Sequence, residues 1–485
     1  MKQLMRSVVL TIGCGTVLLI GADGWAAEAL SPVVSSATPP EPIGDVRQDI
    51  AWVQAVANHP TVPGDKTYSL RDATTGLGWA FPPRVVQGFL EQEVDHLFVA
   101  PPTRYEATPA YRAATETNSG RARVRVDSEP YGQLVEEVEG KLVPYKPEGL
   151  PFPDISPTDP QAARKIIHNF VHADRGGGRA ALEFYVYVLG EGSGVLAQEQ
   201  TVPSGFTPIW TDQAHGTVVR RLGMDMVYAQ LEREKNAAEL WKFRFDFFDP
   251  PDMKDNKMVA IRFVNPVERE RGVMYMRETR KATAAAMPKK HELFAGTHYP
   301  LDAFYGWEGH EYYWRFQLVG EVLVPTVADS KLLHPRFTGR WGSIPDNTDN
   351  WELRRSFVVL AQSREPENRW PYRLLFFDAE MQLVNMTMLY DKDGQFYGVH
   401  QPIHFQDSAT GLPLFAGMTL RLRNKPESTV VVWHRERMMV TENTPAKLHL
   451  FSTASLLAGE TIRGYLGSAG YLTRNATETA TMSIK

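Results

Sequence analysis

The chain has 485 residues and a formal net charge of -5, and it carries no basic block. That balance excludes nucleic acid as an expected partner. Its single cysteine, Cys14, lies in the N-terminal apolar run, so a chain trimmed of that run has no disulfide, no Cys-ligated zinc and no Cys nucleophile.

Lys2 and Arg6 precede an apolar run from Val8 to Ile20, followed by the small residues Ala26, Ala27 and Ala29. Basic start, apolar middle and small-residue end predict a secretory signal cut after Ala26 or Ala29. The run is ~13 residues, short of the ~18 that span a bilayer. Leu10 stands one place too far from Cys14 for a lipoprotein signal. The expected organisation is a signal over 1–29, a Pro/Ser/Ala-rich flexible leader over 30–46, and one large β domain over 47–485. The expected location is the periplasm.

Asp45 to His59 predicts a short helix with Ile50, Val53, Val56 and Ala57 on one side. Prolines at 82, 83, 101, 102 and 109 blur the pattern up to about residue 130. A clearer helix begins at Asp159-Pro160, an N-cap followed by proline in the first turn. Ala163, Ile166, Ile167, Phe170 and Val171 form its apolar stripe, and the glycines at 176 to 178 end it.

Beyond that point the pattern is β. Strands are predicted over Leu182–Val188, Trp241–Phe248, Met258–Val264 and Gly272–Arg277, then Tyr312–Val319, Glu321–Pro325 and Glu352–Gln362. Arg373–Phe377, Leu383–Tyr390 and Gln395–Phe405 are separated by Asp378-Ala379-Glu380 and Asp391-Lys392-Asp393-Gly394. Those turns predict an antiparallel meander. Thr429–Val440 and Lys447–Ser452 complete the set.

Few motifs carry chemistry. Gly190-Glu191-Gly192-Ser193-Gly194 lacks the later glycine of a dinucleotide loop and reads as a hairpin turn. Neither Ser193 nor Ser468 has nucleophile-elbow spacing. His291 and His298 are seven apart, which does not suit a zinc helix, although His298, His310 and His400 could meet in space. Asp391-x-Asp393-Gly394 lacks the further ligands of a calcium loop and reads as a turn. No catalytic residue, metal or cofactor is expected. Alternation in the aromatic run puts Tyr312, Trp314 and Phe316 on one strand face. Packing in a β core is one reading of this run; the other is that these residues, with Ile167 and Phe170 of the helix, line an apolar ligand cavity.

Several segments together resemble the family catalogued as domain of unknown function 1329. Gly149-Leu150-Pro151-Phe152-Pro153 leads into the helix ending His168-Asn169-Phe170, with His168 where tryptophan is usual. Ala295-Gly296-Thr297, Phe304-Tyr305-Gly306, Leu318-Val319-Gly320-Glu321 and Val327-Ala328-Asp329-Ser330-Lys331 follow in order. Trp351 to Val359, Arg369 to Asp378 and Tyr390 to Gly394 complete the match, over roughly 140 to 405 and, less firmly, up to 455. An acidic cluster frequent in the family is thinned here to Asp302. The resemblance implies a LolA/LolB-like fold: a strongly curved antiparallel sheet, an incomplete barrel, with helices on its concave side. It implies a space for acyl chains, and as partners a lipid-like molecule and an exporter of the resistance-nodulation-division class or an outer-membrane protein. Relatives carry the description of outer-membrane lipoprotein-sorting proteins, a name resting on fold analogy. No catalytic residue is carried over. The expectation is therefore a periplasmic carrier for a hydrophobic ligand. A hydrolase or transferase acting on lipid or glycan and a structural partner of an exporter are the alternatives.

Overall fold

The computed structural model describes residues 41–120, 122–124, 134–145, 148–173, 177–196, 209–231, 238–265, 268–286, 291–407, 410–423 and 425–472. The predicted export signal and most of the predicted leader fall outside these residues. The elements run α1 (Gly44–Val56), β1 (Lys66–Ser69), α2 (Pro83–Glu91), β2 (His96–Val99), α3 (Pro109–Asn118), β3 (Ala122–Val124), β4 (Leu134–Val138), β5 (Lys141–Pro144) and α4 (Ala162–Val171). The long strands follow: β6 (Gly178–Val195), β7 (His215–Gln230), β8 (Glu239–Asp249), β9 (Lys257–Phe263), β10 (Arg271–Met276), β11 (Lys281–Ala286) and β12 (Trp314–Val327). Next come β13 (Phe337–Thr338), β14 (Ile344–Pro345), β15 (Trp351–Ser363), β16 (Tyr372–Asp378), β17 (Val384–Tyr390), β18 (Phe396–Gln406), β19 (Pro413–Leu422), β20 (Ser428–Val432) and β21 (Met438–Val440). Three short helices close the chain: α5 (Pro445–His449), α6 (Thr453–Leu457) and α7 (Ile462–Ser468).

Sixteen strands form one curved sheet in the order β1-β2-β15-β16-β17-β18-β19-β20-β6-β7-β8-β9-β10-β11, with β12 beside β15 and β21 beside β6. β1 and β11 are its two ends, so the sheet is not closed into a barrel. Pairing is antiparallel except where Trp351 meets Val99 and Val327 meets Ile403. Strands β3 to β5 form a separate small sheet.

Every residue of β16 and β17 is buried, because both sheet faces are covered there. Such strands read as continuous apolar runs and not as strict alternation. Leu374, Phe376, Met386, Met388 and Tyr390 pack with α1 and α2 on one face. Leu375, Phe377 and Val384 pack with α4 and Trp307 on the other. Helices α5 to α7 cover Val227, Ala229 and Val259 of β7 and β9.

Most predicted elements stand, but Thr429–Val440 is two strands, β20 and β21, separated by a 3-10 turn at Arg435–Arg437, strands β7 and β19 lie outside the predicted set, and five further differences follow. The second helix starts at Ala162. Asp159 Oδ1 instead accepts from Gln161 N at 2.8 Å in the turn that precedes it. The glycine run 190–194 is not a hairpin turn but the far end of β6, where irregular pairing with β7 absorbs the extra residues. Tyr312–Val319 and Glu321–Pro325 are one strand, β12, with a bulge between Leu318 and Gly320. Tyr312 precedes that strand in a 3-10 turn, Glu311–Tyr313. Lys447–Ser452, predicted as a strand, begins in helix α5, because Thr444 caps it by accepting from Lys447 N and Pro445 occupies the first turn.

Candidate functional site

Segment 291–313 crosses one face of the sheet. Its residues Phe294, Tyr299, Ala303 and Phe304 pack on the cluster that holds Phe184, Met224, Met226, Met418 and Trp433. Within that segment Tyr305 adopts φ 54° and Gly306 φ 90°, and the turn is fixed by Thr387 Oγ1 donating to Gly306 O at 2.7 Å. A Cβ at Gly306 would stand 2.4 Å from Val384 Cβ, so the close approach requires glycine.

This turn delivers Tyr305 to a cleft with about 420 Å³ of open space, lined also by Met226, Tyr228, Phe415, Trp433, Met438, Arg179 and Glu308. The Tyr305 ring centroid is 4.7 Å from that of Phe415 and 6.1 Å from that of Trp433, and its hydroxyl lies 3.1 Å from Met226 Sδ. The Arg179 guanidinium sits 5.4 Å from the Tyr228 ring centroid. Glu308 pairs with Arg262 at 3.4 Å. The buried indole Nε1–H of Trp433 has no acceptor. Chemically this is an apolar surface of rings and thioethers with charge at two points. The methionines add adaptability, since unbranched thioether side chains refill irregular gaps.

The structure brings four of the five sequence-predicted cavity residues together. Ile167, Phe170 and Trp314 are buried in one cluster and Phe316 is half-buried against it. Phe170 lies 5.3 Å from Phe377 and 6.0 Å from Trp307, and Trp307 is 5.7 Å from Phe316. The guanidinium of Arg373 stacks 4.5 Å from the Trp314 ring centroid. Tyr312 is buried beside them, 5.0 Å from Tyr313. These five residues contact protein and do not line the Tyr305 cleft.

The polar candidates are dispersed among structural partners. Asp302 pairs with Arg373 at 2.5 Å. His298 bonds Thr429 Oγ1 at 3.1 Å, and His310 lies 5.6 Å from the Tyr313 ring. Asp391 Oδ1 accepts from Asp393 N and Gln395 N, as a turn requires. Among the described residues no group of three His, Cys, Asp or Glu side chains is placed to hold a metal ion, and no helix is long and apolar enough to cross a membrane. The cleft itself is scattered over residues 179 to 438. Only the aromatic run around Tyr305 signals it locally.

Fold and site together define a strand-rich protein built on one open, curved sheet, with an aromatic and methionine cleft beside a covering segment. The chain belongs to the family described as Protein of unknown function (DUF1329), whose model matches residues 85–456. That range extends the resemblance seen in the motifs toward the N-terminus by more than a helix and a strand. No curated protein matches the chain. Among solved structures, it is similar to a DUF1329 family protein from Desulfovibrio piger, with 11% identity, 62% of this chain and 100% of that one covered, and a TM-score of 0.43. It is also similar to a LolA superfamily protein from Nitrosomonas europaea, with 8% identity, 60% and 97% covered, and a TM-score of 0.34.

Proposed function

We propose that this protein is a periplasmic carrier or binding protein for a lipid or another hydrophobic ligand, serving outer-membrane transport or sorting, which it holds without transforming. The observation that carries this reading is the Tyr305–Trp433 cleft. Its walls are chiefly rings and thioethers. An acyl chain entering it gains roughly 0.8 kcal/mol per buried CH₂. Segment 291–313 contributes to this cleft and, through Trp307, to the cluster of Ile167, Phe170 and Trp314. Displacement of that segment would join the two apolar regions into a longer groove. An exporter or outer-membrane protein would then be the donor or acceptor of the cargo.

The test is displacement of a fluorescent polyunsaturated fatty acid from delipidated protein by palmitate. The expected result is saturable binding that Met438→Glu, which puts a charge into the half-buried cleft wall, weakens about tenfold or more. Absence of binding by the folded wild-type protein would overturn the reading.

A further inference from the structure

A second cleft lies on the opposite side of the sheet, between α2 and the strands β18 and β19, with about 470 Å³ of open space. Val85, Phe396 and Val399 form its apolar wall, and Arg84, Arg421 and Arg423 bring three guanidinium groups to it. Two of these are neutralised. Arg84 bonds Asp45 at 2.8 Å and Asp49 at 3.3 Å, and Arg423 reaches Asp45 at 2.7 Å. Glu91, also in the lining, accepts from Gln87 Nε2 at 2.7 Å.

Arg421 differs. It is 4% exposed, it donates through Nη1 to Gln401 Oε1 at 2.5 Å, and its guanidinium stacks 4.7 Å from the Phe89 ring centroid. Its Nη2 has no acceptor, and among the described residues no carboxylate stands within ion-pair distance of it. Four other buried arginines are matched by carboxylates: Arg244 by Asp246, Arg262 by Glu270, Arg354 by Asp378 and Arg373 by Asp302. Burial pulls the Arg421 guanidinium down to about 9, still well above neutral, so the group is charged at pH 7. A buried charge without a counter-ion is unfavourable. An oxyanion in the cleft removes that penalty, and the planar fork suits a two-oxygen contact.

We propose that the α2–β18–β19 cleft is an anion-binding site in which Arg421 grips a carboxylate or phosphate group, with Arg423 at its more exposed mouth. This oxyanion is either free in solution or the head of a lipid whose tail lies along Val85, Phe396 and Val399. The site is independent of the Tyr305–Trp433 cleft, and its failure would leave that reading untouched.

The experiment is a thermal-shift and calorimetric titration of the full chain at constant ionic strength, with chloride as reference. The probes are inorganic phosphate, acetate and dihexanoyl phosphatidic acid. The expected result is saturable stabilisation by at least one probe. Arg421→Gln weakens it about tenfold or more. Equal affinity for phosphate and the short lipid identifies a free anion, whereas about tenfold tighter lipid binding identifies a headgroup. Arg421→Met keeps the apolar packing on Phe89 and is expected to fold at least as well as wild type in chloride. Should both Arg421 variants fail to fold, Arg423→Gln carries the test through its weakened binding of the same probe. Lack of any saturable shift in the wild type overturns the proposal. So does undiminished binding in a folded Arg421 variant or, if neither folds, in Arg423→Gln.

Discussion

The Tyr390 hydroxyl donates to Asp49 Oδ2 across 2.9 Å, although 341 residues separate the two in sequence. This contact ties α1 to the middle of the sheet. Asp49 also receives Arg84 Nε at 3.3 Å, and Asp45, one turn earlier, accepts Phe396 N at 3.0 Å. The acidic side of α1 therefore joins α2, β17 and β18 in one buried network. Burial pushes the Asp49 carboxyl up to about 6 against the pull of Tyr390 and Arg84.

Tyr390→Phe tests that network. The substitution keeps the ring packing and deletes one donor to a buried carboxylate, which costs about 1.5–3 kcal/mol. The urea midpoint should fall with an unchanged slope. A shift equivalent to less than about 0.5 kcal/mol would mean that water replaces the hydroxyl and that α1 is held by apolar packing alone.

His400 and His404 predict an acid-sensitive core. Both are fully buried, and neither ring nitrogen of either residue has a partner. Burial pushes each down to about 3, opposed in His404 by Asp378. Between about pH 6.5 and 3 the unfolded chain therefore binds the protons that the folded chain refuses. The stability these groups contribute is complete above pH 6.5 and is lost as pH falls through that window. Asp49, raised to about 6, has the opposite sign there, so comparison of variants is cleaner than the wild-type curve alone. His404→Leu should reduce the slope of unfolding free energy against pH by about 1.4 kcal/mol per pH unit between pH 4 and 6. An unchanged slope would show that His404 is protonated in the folded state.

Arg354 and Asp378 form a buried ion pair, two-pronged at 2.9 and 3.2 Å, with Arg354 Nη1 also donating to Thr103 O at 2.8 Å. Asp378→Asn preserves shape and leaves an oxygen for the turn amides of Glu380 and Met381, yet it strips the counter-charge from a guanidinium held out of water. The expected loss is about 3–5 kcal/mol. In the background of Arg354→Met the same substitution should cost far less, and a double-mutant cycle by urea unfolding reads the coupling directly. Additive costs would show that Glu352 and Glu380 alone neutralise Arg354.

What the sequence makes legible follows from how local each signal is. The β16–β18 meander is readable because Asp378-Ala379-Glu380 and Asp391 to Gly394 carry turn chemistry between apolar strands. The α4 stripe is readable because Ala163, Ile166, Ile167 and Phe170 repeat at helical spacing. Strand β7 is not, since Arg220-Arg221 and Gly223 interrupt its apolar pattern and its pairing with β6 and β8 is settled by long-range packing. The segment after Thr444 alternates like a strand at Leu448 and Leu450, but its capping residue and proline decide for helix. Packing of Ile167, Phe170, Trp314 and Phe316 together is visible as apolar spacing. The Tyr305 cleft is not, because Met226, Phe415, Trp433 and Met438 converge only through sheet order. Arg421 is more hidden still, since its missing partner is a property of what surrounds it.

Lys447 gives the last prediction and concerns the C-terminal cover. It is fully buried, its ammonium donates to Asn443 Oδ1 at 3.0 Å, and burial, with Arg179 nearby, pulls it down to about 7. In the window from about pH 10.5 to 7 the unfolded chain carries the proton and the folded chain largely does not. Stability from this residue is therefore complete above pH 10.5 and is lost as pH falls toward 7. Lys447→Met keeps the apolar stem in α5 and removes the amine, so it should stabilise the protein by about 0.5–2 kcal/mol at pH 7. It should also flatten the rise of stability between pH 8 and 10. Asn443 keeps its bond to Gln230 O at 2.7 Å in the variant, which limits the loss on the partner's side. Urea unfolding of wild type and Lys447→Met at pH 7 and 9.5 checks both effects. If the variant is instead less stable at both values, the Lys447–Asn443 hydrogen bond outweighs the burial of the charge.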